Sequence, residues 1–150
     1  MLTPMFVMAL ICAAAVFATS VKRIPEGQAY TYRRMDGQIR TLGAGMHFVL
    51  PLIERIAHKI RLLGNVVEVG AIDLPGQNVP LRGQVYYQVL DAARADTIID
   101  EVGSLVRDQL PALLEVAPAA TAAERNLHLK SELNRSLRER GVLITRVQLA

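Results

Sequence analysis

From Leu2 to Val21 the chain runs for twenty residues without a charge, LTPMFVMALICAAAVFATSV. As a helix rising 1.5 Å per residue, such a run reaches roughly 30 Å, the thickness of a bilayer's hydrocarbon core. Pro4 falls in the first turn, where its missing N–H costs little. Lys22 and Arg23 follow at once and would hold the end of the span at the headgroups. The pattern predicts a transmembrane anchor over residues 1–21 and one further domain over residues 22–150, since 150 residues support a single domain. The rival is a cleaved signal peptide that releases a small secreted binding domain. Its apolar core should span about 7 to 15 residues behind a basic start. Here no basic side chain precedes the run and the run is longer, although Val16-Phe17-Ala18 has the form of a cleavage site.

Charge gives the orientation. No Lys or Arg precedes the span, while Lys22, Arg23, Arg33, Arg34 and Arg40 follow it closely. The positive-inside rule then predicts a single-pass membrane protein with its amino terminus outside and its body cytoplasmic. Residues 22–61 carry eight basic and three acidic side chains, whereas residues 62–150 carry nine and eleven. The basic part is thus the part next to the anionic leaflet, where each Lys or Arg adds about 1 kcal/mol of attraction. Nucleic acid is not expected as a partner: there is no Trp, aromatic residues are 5%, and no basic–aromatic interleaving occurs. The only cysteine, Cys12, sits mid-span, so no intramolecular disulfide and no thiol metal site are available.

Beyond the anchor, QAYTYRRM and QIRTL flank Asp36-Gly37, a strong hairpin signal. Ile56, His58, Ile60 and Leu62 alternate with Ala57, Lys59 and Arg61 as in a half-buried strand, and VVEV and AID read as further short strands. A turn is expected at Pro75-Gly76-Gln77-Asn78. Residues 79–89 form the cleanest strand. They set Val79, Leu81, Val85, Tyr87 and Val89 with Gly83 on one face, against Arg82, Gln84, Tyr86 and Gln88. Asp91 is placed to cap a helix carrying Ile98, Val102, Leu105, Val106 and Leu110, which Pro111 should break or kink. Thr121 and Glu124 match a capping box before Leu129, Leu133 and Leu137, Gly141 should end that helix, and VLITRVQL closes the domain as a strand. The expected class is α+β, an antiparallel-rich sheet with helices on one side.

Four stretches carry a family resemblance: IPEGQAYTYRR after the apolar run, TLGAGMHFVLPLIERIAHKI, NVPLRGQVYYQVLDAARA and RGVLITRVQL. Together they reach from Ile24 to Leu149, and they resemble the SPFH or Band 7 family (stomatins, prohibitins, flotillins and bacterial HflK/C-type proteins), closest to its bacterial stomatin-like branch. The resemblance implies a membrane-anchored, oligomerising scaffold that organises membrane microdomains and positions or regulates membrane proteins such as proteases. Its implied partners are the lipid bilayer, further copies of the chain and a membrane protease or other membrane protein. The alternative, a membrane protease or protease subunit, is a label that relatives carry through their partners. Three departures are visible. Leu74-Pro75-Gly76-Gln77-Asn78 replaces a Thr-Lys-Asp-Asn-like approach, Pro111 interrupts a helix that relatives keep continuous, and the long charged, alanine-rich helix that helps relatives form rings has no counterpart.

MHFVLPLI, residues 46–53, is too short to span a bilayer, which takes about 20 residues. It reads either as core or as a loop leaning into the membrane interface, with Met46 in the core and Phe48 and Leu50 in lipid. Gly43 and Gly45 would let the backbone turn toward lipid, and Pro51 would stop a regular helix. The candidate interface residues are Lys22, Arg23, Gly43, Gly45, Phe48, Val49, Leu50 and Pro51.

No catalytic constellation emerges, so an enzyme is not expected and neither cofactor nor metal is assigned. Gly43-Ala44-Gly45-Met46 imitates a dinucleotide loop but lacks the third glycine and a following helix. His47, His58 and His128 lie in three different elements, and Ser104 has no nucleophile elbow around it. Asp96, Asp100 and Glu101 read as solubility charges on a helix surface.

Overall fold

The computed structural model describes residues 2–73, 79–116 and 121–150. The chain is α+β with antiparallel sheets and divides into two compact units, Met1–Lys59 and Ile60–Ala150.

The first unit opens with helix α1 (Leu2–Ser20). Strand β1 (Val21–Ile24) pairs antiparallel with β4 (Gly45–Phe48), in the register Val21↔Phe48 to Ile24↔Gly45. Strands β2 (Gln28–Arg34) and β3 (Ile39–Leu42) form the expected hairpin over Asp36-Gly37. The turn is built as its residues dictate: the Asp36 carboxylate accepts from Gln38 N at 3.0 Å, and Gly37 takes φ 85°. β2 is the centre of a second sheet, β3-β2-β5, whose last member β5 (Glu54–Arg61) runs across the boundary between the units. Ile24, Tyr32, Leu42 and Val49 form this unit's small core.

The anchor expected over residues 1–21 is not supported, because among the described residues no helix is long and apolar enough to cross a membrane. α1 closes at Ser20, so its nineteen residues rise about 28 Å. Val21, counted in the span from its side chain alone, instead begins β1 opposite Phe48.

The second unit is a sheet of order β6-β7-β8, made of β6 (Asn65–Ile72), β7 (Leu81–Val89) and β8 (Val142–Leu149). Helices α2 (Ala92–Ala95), α3 (Val102–Val116) and α4 (Ala122–Leu137) lie between β7 and β8 in sequence. Leu81, Val85 and Val89 of β7 meet Val102, Val106, Leu110 and Leu114 of α3 and Leu129, Leu133 and Leu137 of α4 in one buried cluster. Burying each such side chain contributes roughly 1.5–3 kcal/mol. This explains why Pro111 sits inside α3 and does not end it. Four inward residues at four-residue spacing outweigh the roughly 3 kcal/mol that an internal proline costs, and Pro111 itself is exposed.

Both edge strands carry a bulge that rescues their polarity pattern. In β8 the register shifts between Tyr86 and Tyr87, leaving Thr145-Arg146 as two consecutive exposed residues. Without the extra residue Val142 and Ile144 would face opposite to Val147 and Leu149; with it all four point inward. β6 shifts similarly between Val69 and Ile72, which merges the two short strands expected there into one.

Other expectations change in detail. Asp91 does cap a helix, accepting from Ala93 N and Arg94 N, but that helix stops after one turn and α3 starts anew at Val102. Asp96, expected at the surface, is buried beside that break. Val79 is exposed and precedes the strand, and Ile56 is exposed within β5. Thr121 caps α4 by accepting from Glu124 N, and Gly141 at φ 81° ends the short 3-10 turn Arg138–Arg140 that follows α4. The turn expected at residues 75–78 lies outside the described residues.

Candidate functional site

The apolar run takes its shape from the β1–β4 ladder. Gly45, at φ 130°, opens β4 in a backbone conformation that side-chain-bearing residues rarely adopt. Alternation then turns Met46 and Phe48 outward, while the His47 ring bonds back to the Gly43 carbonyl at 2.9 Å. Val49 donates its N–H to the Ser20 carbonyl at 2.8 Å and drops into the core. A tight turn follows, in which Ile53 N and Glu54 N both donate to Leu50 O, at 3.0 and 2.8 Å. Pro51 is its second residue, where a fixed φ suits such a turn. Leu52 at the tip is 83% exposed.

The turn is pinned from behind by a buried carboxylate. Glu54 Oε2 accepts from Leu50 N at 3.4 Å, and its Oε1 lies 3.7 Å from Arg34 Nε and 3.9 Å from Arg40 Nη1. Two facing guanidiniums make a buried carboxylate tolerable here. The Ile53 carbonyl accepts from Met35 N at 3.1 Å, which ties the turn to the end of β2.

Helix α1 continues this surface. Met5, Phe6, Met8, Leu10, Ile11, Val16 and Phe17 are all exposed, and the Phe17 ring lies 5.9 Å from that of Phe48 at 44°. A helix apolar on every side finds its place in a protein core or in lipid, and within its own unit almost none of it is covered.

Lys22 and Arg23 are exposed on β1, and Gly43, Gly45 and Pro51 are exposed as well. Phe48 is 51% exposed and Leu50 is partly exposed. Two assignments reverse. Met46, expected in the core, is 74% exposed, and Val49, taken for the interface, is 3% exposed and packs with Ile24, Tyr32 and Leu42. The sequence run gave no sign of where the strand's parity would break at the turn. The pairing of Phe17 with Phe48, the place of Leu52 at the tip and the burial of Glu54 go beyond the sequence-derived interface. An aromatic at the end of α1 and a carboxylate closing an apolar run were the available signals.

Tyr32 lies inside the small core with its pKa raised by burial and by the neighbouring Tyr30 and Glu54. Its hydroxyl has no hydrogen-bond partner among the described residues.

In the second unit a shallow depression of about 610 Å³ is bounded by Glu68, Arg82, Gln84, Asn126 and Gln148. Beside it, two asparagines of α4 close the outer edge of β8. Asn134 donates to Ile144 O at 3.0 Å and accepts from Ile144 N at 2.7 Å; Asn126 does the same at Leu149, at 3.3 and 3.4 Å. Each carboxamide thus stands in for one residue of a missing neighbour strand, protecting an edge otherwise open to pairing. His58 and His128 are half-buried in different elements, and Ser104 Oγ bonds the Glu101 carbonyl at 2.9 Å. Among the described residues no three His, Cys, Asp or Glu side chains converge as a metal-binding group.

No family model matches the chain. It is 24% identical over 142 residues to an uncharacterized protein of Schizosaccharomyces pombe, covering 87% of this chain and 40% of that one. It is 28% identical over 92 residues to a stomatin-like protein of Caenorhabditis elegans, covering 59% of this chain and 28% of that one. The chain therefore spans well under half the length of these relatives, and over part of its length it is similar to a stomatin-like protein.

Proposed function

We propose that this protein is a membrane-associated scaffold of the SPFH or Band 7 type, acting by position and assembly and not by chemistry of its own. The observation that carries this reading is the uncovered apolar surface of the first unit, in which α1 meets Phe48 and the turn at Leu52. The similarity to a stomatin-like protein supports the same reading.

In this reading α1 embeds its apolar surface in the bilayer, with the body on the cytoplasmic side. Lys22 and Arg23, exposed just after α1, then lie at the headgroups. Phe48, Leu50 and Leu52 then rest in the interface, and further copies or a membrane protein such as a protease dock on the body. The test is membrane retention of the full chain after alkaline carbonate washing. Retention supports insertion, and recovery of full-length protein in the supernatant contradicts it.

A further inference from the structure

Where β2 ends beside the Leu50–Ile53 turn, the first unit forms a cleft of about 310 Å³ lined by Arg33, Arg34, Met35, Ile53 and Arg55. We propose that this cleft is a phospholipid headgroup site, in which the arginines hold the phosphate of an anionic lipid and Met35 and Ile53 contact its apolar portion. The inference rests on the membrane reading above and names the lipid chemistry that reading would meet.

The charge balance favours an anion. Around the cleft stand the guanidiniums of Arg33, Arg34, Arg40 and Arg55 and the carboxylates of Asp36 and Glu54. Both carboxylates are engaged: Glu54 faces Arg34 and Arg40, and Asp36 Oδ2 lies 4.0 Å from Arg34 Nη1. Arg33 and Arg55 are exposed and have no ion-pair partner among the described residues, which leaves two positive charges for an incoming anion. Glu54 acts as a positioning residue, holding Arg34 from its Nε side so that the cleft keeps its shape. Guanidinium forks match the geometry of phosphate oxygens better than a point charge does.

The apolar half of the cleft separates a lipid from a free anion. Met35 is 82% exposed and Ile53 is partly exposed, and both line the cleft together with the arginines. A soluble phosphate has no use for this surface. A glycerophospholipid joins a charged headgroup to apolar carbon, the two chemistries that line this cleft, and Leu52 of the adjoining turn is exposed as well.

The test uses the full chain in a non-ionic detergent, with equal amounts of phosphatidylglycerol and phosphatidylcholine, read by native mass spectrometry. The expected result is one retained phosphatidylglycerol per chain at roughly tenfold preference, since each arginine adds a several-fold attraction to anionic headgroups. Arg33→Gln with Arg55→Gln should remove that preference, whereas Arg33→Lys with Arg55→Lys should keep part of it. Equal retention of the two lipids by the natural chain, or an unchanged preference in the glutamine variant, overturns the site. Displacement of the lipid by excess inorganic phosphate or by polyglutamate also overturns it, because the cleft would then read charge alone. Co-sedimentation with pure phosphatidylcholine vesicles separates the two failures. It should persist in the glutamine variant, and its loss in the natural chain would count against the membrane reading itself.

Discussion

The two units of this chain solve the problem of apolar surface in opposite ways. Ile60–Ala150 tucks most of its leucines and valines between one face of a three-stranded sheet and two helices, with Leu63, Leu90 and Leu127 among the scattered exceptions, and leaves Glu68, Arg82, Arg146 and Gln148 outside. Met1–Lys59 buries Ile24, Tyr32, Leu42 and Val49, yet exposes most of α1 together with Met46, Phe48 and Leu52. Apolar content alone therefore does not tell how stable a region is. The second unit is held by its own packing, whereas the first carries surface that awaits a cover.

The comparison can be broken most forcefully in the second unit. Val85→Asp would place a charge in the middle of the β7–α3–α4 core and should abolish cooperative unfolding of that unit in a thermal melt, the loss being several kcal/mol. Gln84→Asp, on the other face of the same strand, should cost far less, about 1 kcal/mol, through the lost Tyr86 hydrogen bond and the like charge of Glu68 opposite. Equal damage at both positions would mean that the polar face is also covered. Asn134→Ala comes next. It strands the N–H and carbonyl of Ile144 at the sheet edge and should cost about 2 kcal/mol in a denaturant titration. An unchanged midpoint would show that water replaces the carboxamide without penalty.

In the first unit the contrast reverses, with binding affected more than stability. Phe48→Ser with Leu50→Ser removes two partly exposed side chains and should cost about 1 kcal/mol or less of folding stability. The same pair should weaken salt-resistant co-sedimentation with vesicles, because the interfacial contact it removes is apolar. A large fall in melting temperature with binding intact would make this run core and not contact surface.

The smallest effect concerns Tyr32. Because burial raises its pKa, the folded state holds the proton after the unfolded chain has released it. The stabilising contribution is complete below the ordinary value of 10.0 and is lost as pH rises through the higher folded value. Tyr87 behaves likewise in the second unit, so both units should weaken in strong alkali. Tyr32→Phe should remove the first unit's share and leave neutral-pH stability equal or slightly higher, since the hydroxyl has no partner there. A loss of more than about 1 kcal/mol at neutral pH would reveal a hydrogen bond, the typical net worth of one.

Local chemistry was the legible part of this sequence. The Asp36-Gly37 hairpin, the alternation from Leu81 to Val89, the caps at Asp91 and Thr121, and the leucine spacing of α4 each depend on residues a few positions apart. What stayed hidden depends on partners distant in sequence. Val21 is a strand residue only because Phe48 lies opposite it, and Val49 is core only because Ser20 holds its N–H. The bulge at Thr145-Arg146 was visible as two polar neighbours in VLITRVQL, but its cause is the match to β7. The candidate site followed the same rule: Phe48 and Leu50 could be proposed from their run, while the cleft joining Arg33 to Arg55 needed β2 and the Leu50–Ile53 turn side by side.

The central claim is that α1 is covered by lipid, and the chain carries its own probe for it. Cys12, its only cysteine, lies exposed near the middle of α1. A nitroxide attached there, in the full chain reconstituted into vesicles, can be read by its relaxation with oxygen and with a water-soluble nickel chelate. Insertion predicts strong enhancement by oxygen, which concentrates in the hydrocarbon, and almost none by the chelate. A label relaxed freely by the chelate would place α1 in water and contradict the account.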